Sequence, residues 1–387
     1  MPRKLGRPAA LVLAAIVAVA ISACGSSSSD NASTGGGKQN AAAADKPIGI
    51  VKGTRYETIG PNGEKPTPVA DLDVSDADVA KVKAGHHRVA MLWHTSSADQ
   101  EAVTAGAKSV FDKFGVSIVG TASADFDPAK QQSAVQTMMA RKPDLMLAVP
   151  VDPDASAEAF RPAANKGVKI VFSSVVPKGF TSGKDYVGLV NGDLAGMGKQ
   201  AAEMLGKAMG GKGKVGLIYY DANFFATNTR DVAFRSWMRK LYPDIEIVSQ
   251  GMADPAKGQE TAAALLAAHP DVNGVYVTWA APPAQGVEAA LRSNGKTDVK
   301  LVTFDLDPAV DLDMINGDYV IGEVVNPPFA LGEAMAKLAI HSLLNDKSPN
   351  FVVTPGVNVT ADNLAEVWKT STGQEPPAEI TKALANR

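Results

Sequence analysis

From Arg88 onward the chain alternates short apolar runs with helical patterns, and this alternation constrains the fold more than any other feature. The runs 89–93, 116–119, 145–149, 168–172 and 186–190 read as buried strands, bounded by polar or Gly/Pro positions. Helical patterns lie between them, one ending near Gly115, one opened by Asp127-Pro128 and running to Arg141, and one over 154–165. The scheme resumes with a helix over 194–209 and strands over 215–220, 245–249, 274–278, 299–304 and 319–324. Helices over 227–241, 258–268 and 284–293 separate these strands, and one over 329–344 follows Pro327-Pro328. Short apolar strands alternating with helices predict parallel sheets with right-handed crossovers. The strands are too many for one comfortable sheet, and two similar halves are visible. The expected fold is α/β, with two doubly wound parallel-sheet lobes facing a cleft. A chain of 387 residues has room for this at about 150 residues per domain.

The first residues bear on the compartment. Arg3, Lys4 and Arg7 precede an apolar stretch from Leu11 to Ala20, shorter than the ~20 residues a membrane span needs. This is the pattern of a signal peptide, expected over 1–23. The stretch ends in Ile21-Ser22-Ala23-Cys24, which resembles a bacterial lipobox, and Cys24 is the single cysteine of the chain. Gly25, the serines 26–29 and the glycines 35–37 then make a flexible tether, so 24–45 is expected to be lipid anchor and linker. The protein should therefore sit on the outer face of the cell membrane, or in the periplasm. Residues 46–86 read as an irregular ordered arm, in which Ser75 caps a helix with Asp78 at the third position.

Several functions are excluded. A net charge of −3 argues against binding nucleic acid by bulk electrostatics. One Cys and 5 His make a metal centre a poor expectation, and no cofactor is expected. Gly206, Gly211 and Lys212 match a phosphate loop, but Gly213 stands where Ser or Thr is needed, and the order is helix then strand. Gly196, Gly198 and Ala201 match a dinucleotide fingerprint but lie inside a helical pattern, where close packing explains them. No nucleophile elbow is present, so the chain is not expected to be an enzyme.

Four stretches carry a family resemblance: Asp127-Pro128-Ala129-Lys130-Gln131, Ala267-Ala268-His269-Pro270-Asp271-Val272, Val302-Thr303-Phe304-Asp305, and Asn326-Pro327 with Gly332. On these, the chain from Arg88 to Thr360 resembles the ribose-binding-protein-like, type I periplasmic binding proteins of ABC importers. The resemblance implies two lobes that close on a small solute, a membrane permease as partner, and three hinge crossings, expected near Val190, Val324 and Phe351. The lobes would be 87–190 with 325–350, and 191–324 with 351–387. A monomer is expected, with a monosaccharide or polyol as ligand. The alternatives are a lipid-anchored sensor and a binder of another solute, such as a nucleoside. A hydrolase using Asp305 and Asp307 is disfavoured, because successive strand residues point to opposite faces.

Sugars need aromatic faces and fixed polar partners at strand carboxyl ends. Trp279 follows the strand 274–278 directly, and Trp93, His94, Thr95 and Asp99 follow the first strand. Phe224 and Phe225 would be odd exposed residues unless they line a cleft. The resemblance assigns Asp305 to ligand hydroxyls and Asn326 to a polar hinge position. It places a ligand-binding Arg in the segment ending Ala233-Phe234, where Asn228 takes the arginine's position and Arg230 the next basic one. Trp237 and Trp368 are expected to pack. One departure matters. Ribose binders carry an Asp-Arg pair after the strand 168–172, and this chain has Ser174-Val175. Without that bidentate Arg, ribose in its usual pose is not expected.

Overall fold

The computed structural model describes residues 54–387 except Tyr56, Asp73 and Asp346. The expected signal peptide, Cys24 and the tether lie outside the described residues.

Lobe 1 is built on seven parallel strands in the order β1-β12-β6-β5-β4-β2-β3. These are β1 (Thr67–Pro68), β2 (Arg88–Trp93), β3 (Ser117–Ser123), β4 (Leu145–Ala148), β5 (Lys169–Ser173), β6 (Gly188–Gly192) and β12 (Phe351–Thr354). Lobe 2 has six strands in the order β13-β11-β10-β9-β7-β8. They are β7 (Gly213–Tyr220), β8 (Ile245–Met252), β9 (Gly274–Val277), β10 (Lys300–Phe304), β11 (Val320–Val325) and β13 (Val357–Val359). β13 alone runs antiparallel, pairing Val325 with Val357.

Helices cover both faces of each sheet, as parallel sheets require. Lobe 1 carries α1 (Val79–Ala84), α2 (Ala98–Phe114), α3 (Pro128–Ala140), α4 (Pro153–Asn165) and α10 (Pro328–Leu344). Lobe 2 carries α5 (Leu194–Ala208), α6 (Phe225–Leu241), α7 (Gly258–Ala268), α8 (Gln285–Ser293) and α9 (Pro308–Asn316). The last helices, α11 (Leu364–Thr372) and α12 (Ala378–Ala385), complete the lobe 2 core with Val367, Trp368 and Ile380. The pleat sends successive residues to opposite faces. In β2, Val89, Met91 and Trp93 enter the core under α2 and α10, while Ala90 and Leu92 enter the one under α3 and α4.

Local chemistry sets the element ends. Asp127 accepts from the backbone N–H of Ala129 and Lys130 at the start of α3, with Pro128 as the first helical residue. The Ser75 N–H donates to Asp78 at 3.1 Å, one half of the expected capping box. Gly332 has a packing reason. A Cβ there would lie 1.9 Å from the Val103 carbonyl oxygen, and one at Gly106 would lie 1.9 Å from that of Phe329. Only glycine lets α2 and α10 come this close. The segment around Gly206 joins α5 to β7, the expected helix-to-strand connection.

The structure moves the third crossing. Phe351 pairs with Leu189 and Thr354 with Gly192, so Phe351–Thr354 completes the lobe 1 sheet and does not begin lobe 2. The chain crosses between β6 and α5, between β11 and α10, and between β12 and β13. A short apolar strand carries nothing in its own residues that assigns it to one sheet over the other, and the pairing with β6 gives Phe351 to lobe 1. The described part of the arm includes Arg55. Its backbone N–H donates to Ser236 Oγ on α6 at 3.0 Å, and Thr67–Pro68 adds an edge strand to lobe 1.

Candidate ligand cleft between the lobes

The residues that follow the strand carboxyl ends meet in one cleft. At its lobe 2 wall stands Arg230, in the second turn of α6 and 6% exposed. Gly198 on α5 permits the approach, since a Cβ there would lie 2.6 Å from the Arg230 carbonyl oxygen. Arg230 Nη2 donates to the Thr278 carbonyl at 2.6 Å, and its guanidinium lies 4.1 Å over the Phe304 ring. Nη1 is 3.9 Å from Asp305 Oδ1, and Nε is buried without a protein partner. Beneath it, Asp231 accepts from the Tyr276 hydroxyl at 2.6 Å. Burial pushes the Asp231 carboxyl up to about 7.

Asp305 ends β10 with φ +67, an uncommon backbone conformation for a non-glycine residue, often met where function constrains the chain. Burial raises its carboxyl, and Arg230 pulls it back. Asp99, in the first turn of α2, faces this pair from lobe 1. Burial first, then the Asp305 charge, pushes Asp99 up to about 8, while Arg230 opposes the shift.

Aromatic rings form a continuous wall from one lobe to the other. Trp279 meets Tyr220 edge to face at 5.3 Å, and Tyr220 meets Phe224 at 6.5 Å. Phe224 lies 6.0 Å from His94 across the cleft, and His94 packs edge-on against Phe126 at 4.9 Å. His94 is half-buried, its Nδ1 lacks a partner, and burial lowers its pKa to about 4, so the ring is neutral. Trp279 Nε1 is held by the Ala281 carbonyl at 2.9 Å, which fixes the indole.

The hinge supplies amides. Asn326, just past β11, accepts from the Thr354 hydroxyl at 2.7 Å and so links two crossings. Asn191, near the end of β6, accepts from the Ser174 N–H at 2.7 Å, and its Nδ2 is buried and unpartnered. Among the described residues, the buried donors of Arg230 and Asn191 and the His94 nitrogen have no partner, which is what a site built for a polar ligand leaves open.

The structure thus brings together Trp279, Asp305, Asn326, Arg230 and His94. Two expected residues lie elsewhere. Trp93 is in the lobe 1 core, 3% exposed, and its indole donates to Thr104 Oγ1 at 2.8 Å. The fifth inward position of a strand outweighed its nearness to the strand end. Asn228 is fully buried and committed to its own loop, accepting from the Phe224 N–H at 3.0 Å and donating to the Ala222 carbonyl at 3.1 Å. From the first turn of α6 its amide thus holds the loop that enters the helix. Phe225 packs against the lobe 1 core and so forms a contact between lobes. The reading overlooked Tyr220 and Asn191, although both stand at strand carboxyl ends as Trp279 does. It also overlooked Asp231, which no sequence pattern distinguishes.

Residues 89–347 match the model of the periplasmic binding protein domain. The chain belongs to that family, whose members are extracytoplasmic solute-binding transport proteins and not enzymes. It is 28% identical to the ribose import binding protein of Escherichia coli (strain K12) over 203 residues, 52% of this chain and 67% of the relative. It is 26% identical over 226 residues, 57% of this chain and 70% of the relative, to the D-apiose import binding protein of Actinobacillus succinogenes. Its fold is similar to that of an ABC transporter solute-binding protein from Agrobacterium vitis bound to α-D-tagatopyranose, with a TM-score of 0.66 at 22% identity over 73% of this chain and 98% of that one. A carbohydrate transporter solute-binding protein from Agrobacterium radiobacter, in complex with D-arabinose, gives 0.64 at 24% identity over 74% and 98%.

Proposed function

We propose that the protein is the substrate-binding component of an ABC importer that closes its lobes on a monosaccharide or polyol and hands it to a membrane permease. The observation that carries this reading is the ring wall from Trp279 to Phe126 beside the buried Arg230 and the half-buried Asp305. Ring faces suit sugar C–H surfaces, and the fixed donors and acceptors suit hydroxyls. The bound sugars of the structural neighbours and the ribose and apiose relatives support the same ligand class. Ribose held by a charged clamp after β5 is not favoured. At that place Val175 is buried, and the Ser174 N–H is bonded to Asn191.

A thermal-shift screen of the purified protein against pentoses, hexoses, polyols and nucleosides tests this. A ligand at 100 times its Kd adds about 2.7 kcal/mol, a rise of several degrees. A shift with one sugar or polyol series supports the reading, and silence from all of them overturns it. Anchoring through lipidated Cys24 and a monomeric state complete the proposal. Labelling with a fatty acid should mark the wild type and not C24A, and light scattering should give one chain per particle.

A further inference from the structure

Resting on the sugar-binding reading, we propose that Phe126 is a subsite at the rim of the cleft, and that the solute is a sugar extended by a second ring, as in a disaccharide. The monosaccharide of that reading is then its inner unit. The backbone gives the first reason. Asp125 and Phe126 both have positive φ, at +48 and +59. Asp visits this region readily, whereas for a bulky side chain it is an outlier. The turn is nevertheless held from several sides. The Phe126 N–H donates to the His94 carbonyl at 2.7 Å, and the Asp127 N–H to that of Ala124 at 2.9 Å. Asp125 accepts from Ser123 Oγ at 3.1 Å and from Lys130 Nζ at 3.2 Å. Strain held this firmly points to a use for the conformation.

The turn keeps a ring in water. Phe126 is 49% exposed, one of three large apolar side chains in that state among the described residues, with Ile59 and Leu241. Of these, Phe126 alone continues the cleft wall. Its perpendicular contact with His94, at 4.9 Å and 86°, covers at most one of its faces. The other is a surface on which the C–H face of a sugar can stack, and both gain from leaving water. The wall is also too long for one sugar ring. From Trp279 through Tyr220, Phe224 and His94 to Phe126, the steps between ring centroids run from 4.9 to 6.5 Å. A pyranose, about the size of one phenyl ring, cannot reach both ends. The buried unpartnered donors of Arg230 and Asn191 serve the hydroxyls of the inner unit. At the rim, Asp125 and Lys130 are exposed and paired with each other, so the outer unit is held by stacking.

Calorimetry on matched pairs tests this: D-glucose with cellobiose and maltose, D-galactose with melibiose, and D-xylose with xylobiose. At least one disaccharide should bind about tenfold more tightly than its monosaccharide, the scale of one added ring contact. F126N puts a residue suited to the left-handed turn in place of the ring. It should abolish the preference by weakening the disaccharide about tenfold more than the monosaccharide, and F126W should retain it. Monosaccharides binding as tightly as every disaccharide, or a preference unchanged in F126N, would overturn the inference and leave the sugar reading standing. Binding by neither series would overturn both.

Discussion

The two lobes share one architecture but differ in what they bury. Lobe 1 is apolar inside, and its one buried carboxylate of note, Asp185, is met by Arg161 at the lobe edge. Lobe 2 buries Arg230, Asp231, Arg235, Glu288, Asp311, Asp313 and Glu323. Both lobes need helices on each face of a parallel sheet, so the charges are not a demand of the fold. Arg230 and Asp231 stand beside the carboxyl end of β9, whereas Asp313 accepts from the Tyr319 and Val320 N–H groups at the start of β11 and pairs with Arg292. Lobe 2 therefore acts as the polar jaw, and lobe 1 as a rigid apolar body that brings Asp99 and His94 to it. The lesson is that binding chemistry and stability are set against each other in lobe 2 and are largely separate in lobe 1.

Breaking an ion pair in each lobe gives the largest expected contrast. Arg230→Met should leave the buried Asp231 and the half-buried Asp305 without their cation, costing about 3 kcal/mol and solute binding as well. Arg161→Met, at a pair whose arginine is one-third exposed, should cost about 1 kcal/mol and leave binding intact. Chemical denaturation and calorimetry on both variants check this, and equal costs would refute the contrast.

A pH series separates the lobes next. Asp311 and Glu323 face each other inside lobe 2, buried with one another as their side-chain partners. Burial raises Asp311 to about 7 and Glu288 to about 8, and Glu323 well above its usual range. The folded protein therefore keeps protons that the unfolded chain releases near pH 4. This contribution is full below pH 4 and is lost as pH rises through about 7 to 8. Glu323→Gln should flatten that decline and raise Tm by about 2–4 °C at pH 8, with little change at pH 4. Thermal melts across that range check it. A parallel fall in the variant would place the pH sensitivity elsewhere.

How much of this was legible in the sequence follows from range. The alternation from Arg88 specified strands and helices because a buried parallel strand must be apolar throughout. Asp127 and Ser75 were readable as caps, since capping is settled within four residues. Trp279 and Asp305 were reachable because strand ends locate a cleft in any open α/β sheet, and Arg230 through the family resemblance of the segment ending Ala233-Phe234. What stayed hidden depends on partners distant in the chain. Asp99 gains its meaning only where lobe 1 meets Asp305, some two hundred residues later. Asn228 looks like a ligand until its own loop is seen to use both ends of its amide. Phe351 could not be given to a lobe until Leu189 was beside it.

The hinge offers a smaller effect. Thr354→Val removes the 2.7 Å bond to Asn326, which ties the second crossing to the third. It should cost about 1 kcal/mol. Because the bond lies between crossings and not within a lobe, the variant should also shift the balance of open and closed forms. Small-angle scattering without and with ligand reads that shift, and unchanged profiles would show that Asn326 serves the ligand alone.

The smallest effect is expected at the arm. Thr58 is buried against the first crossing, where its hydroxyl donates to Asp193 and accepts from the Ala195 N–H at 2.8 Å. Asp193 also caps α5 through the Gly196 N–H at 3.0 Å. Further on, Thr67–Pro68 joins the lobe 1 sheet. These contacts of the described arm lie on the hinge side of lobe 2 and at the edge of the lobe 1 sheet. Thr58→Val keeps the shape and removes both hydrogen bonds, so it should cost about 1 kcal/mol and leave affinity unchanged. A change in affinity would mean instead that the arm strains or relaxes the first crossing as the lobes close, and the polar jaw would then answer to a segment outside either lobe.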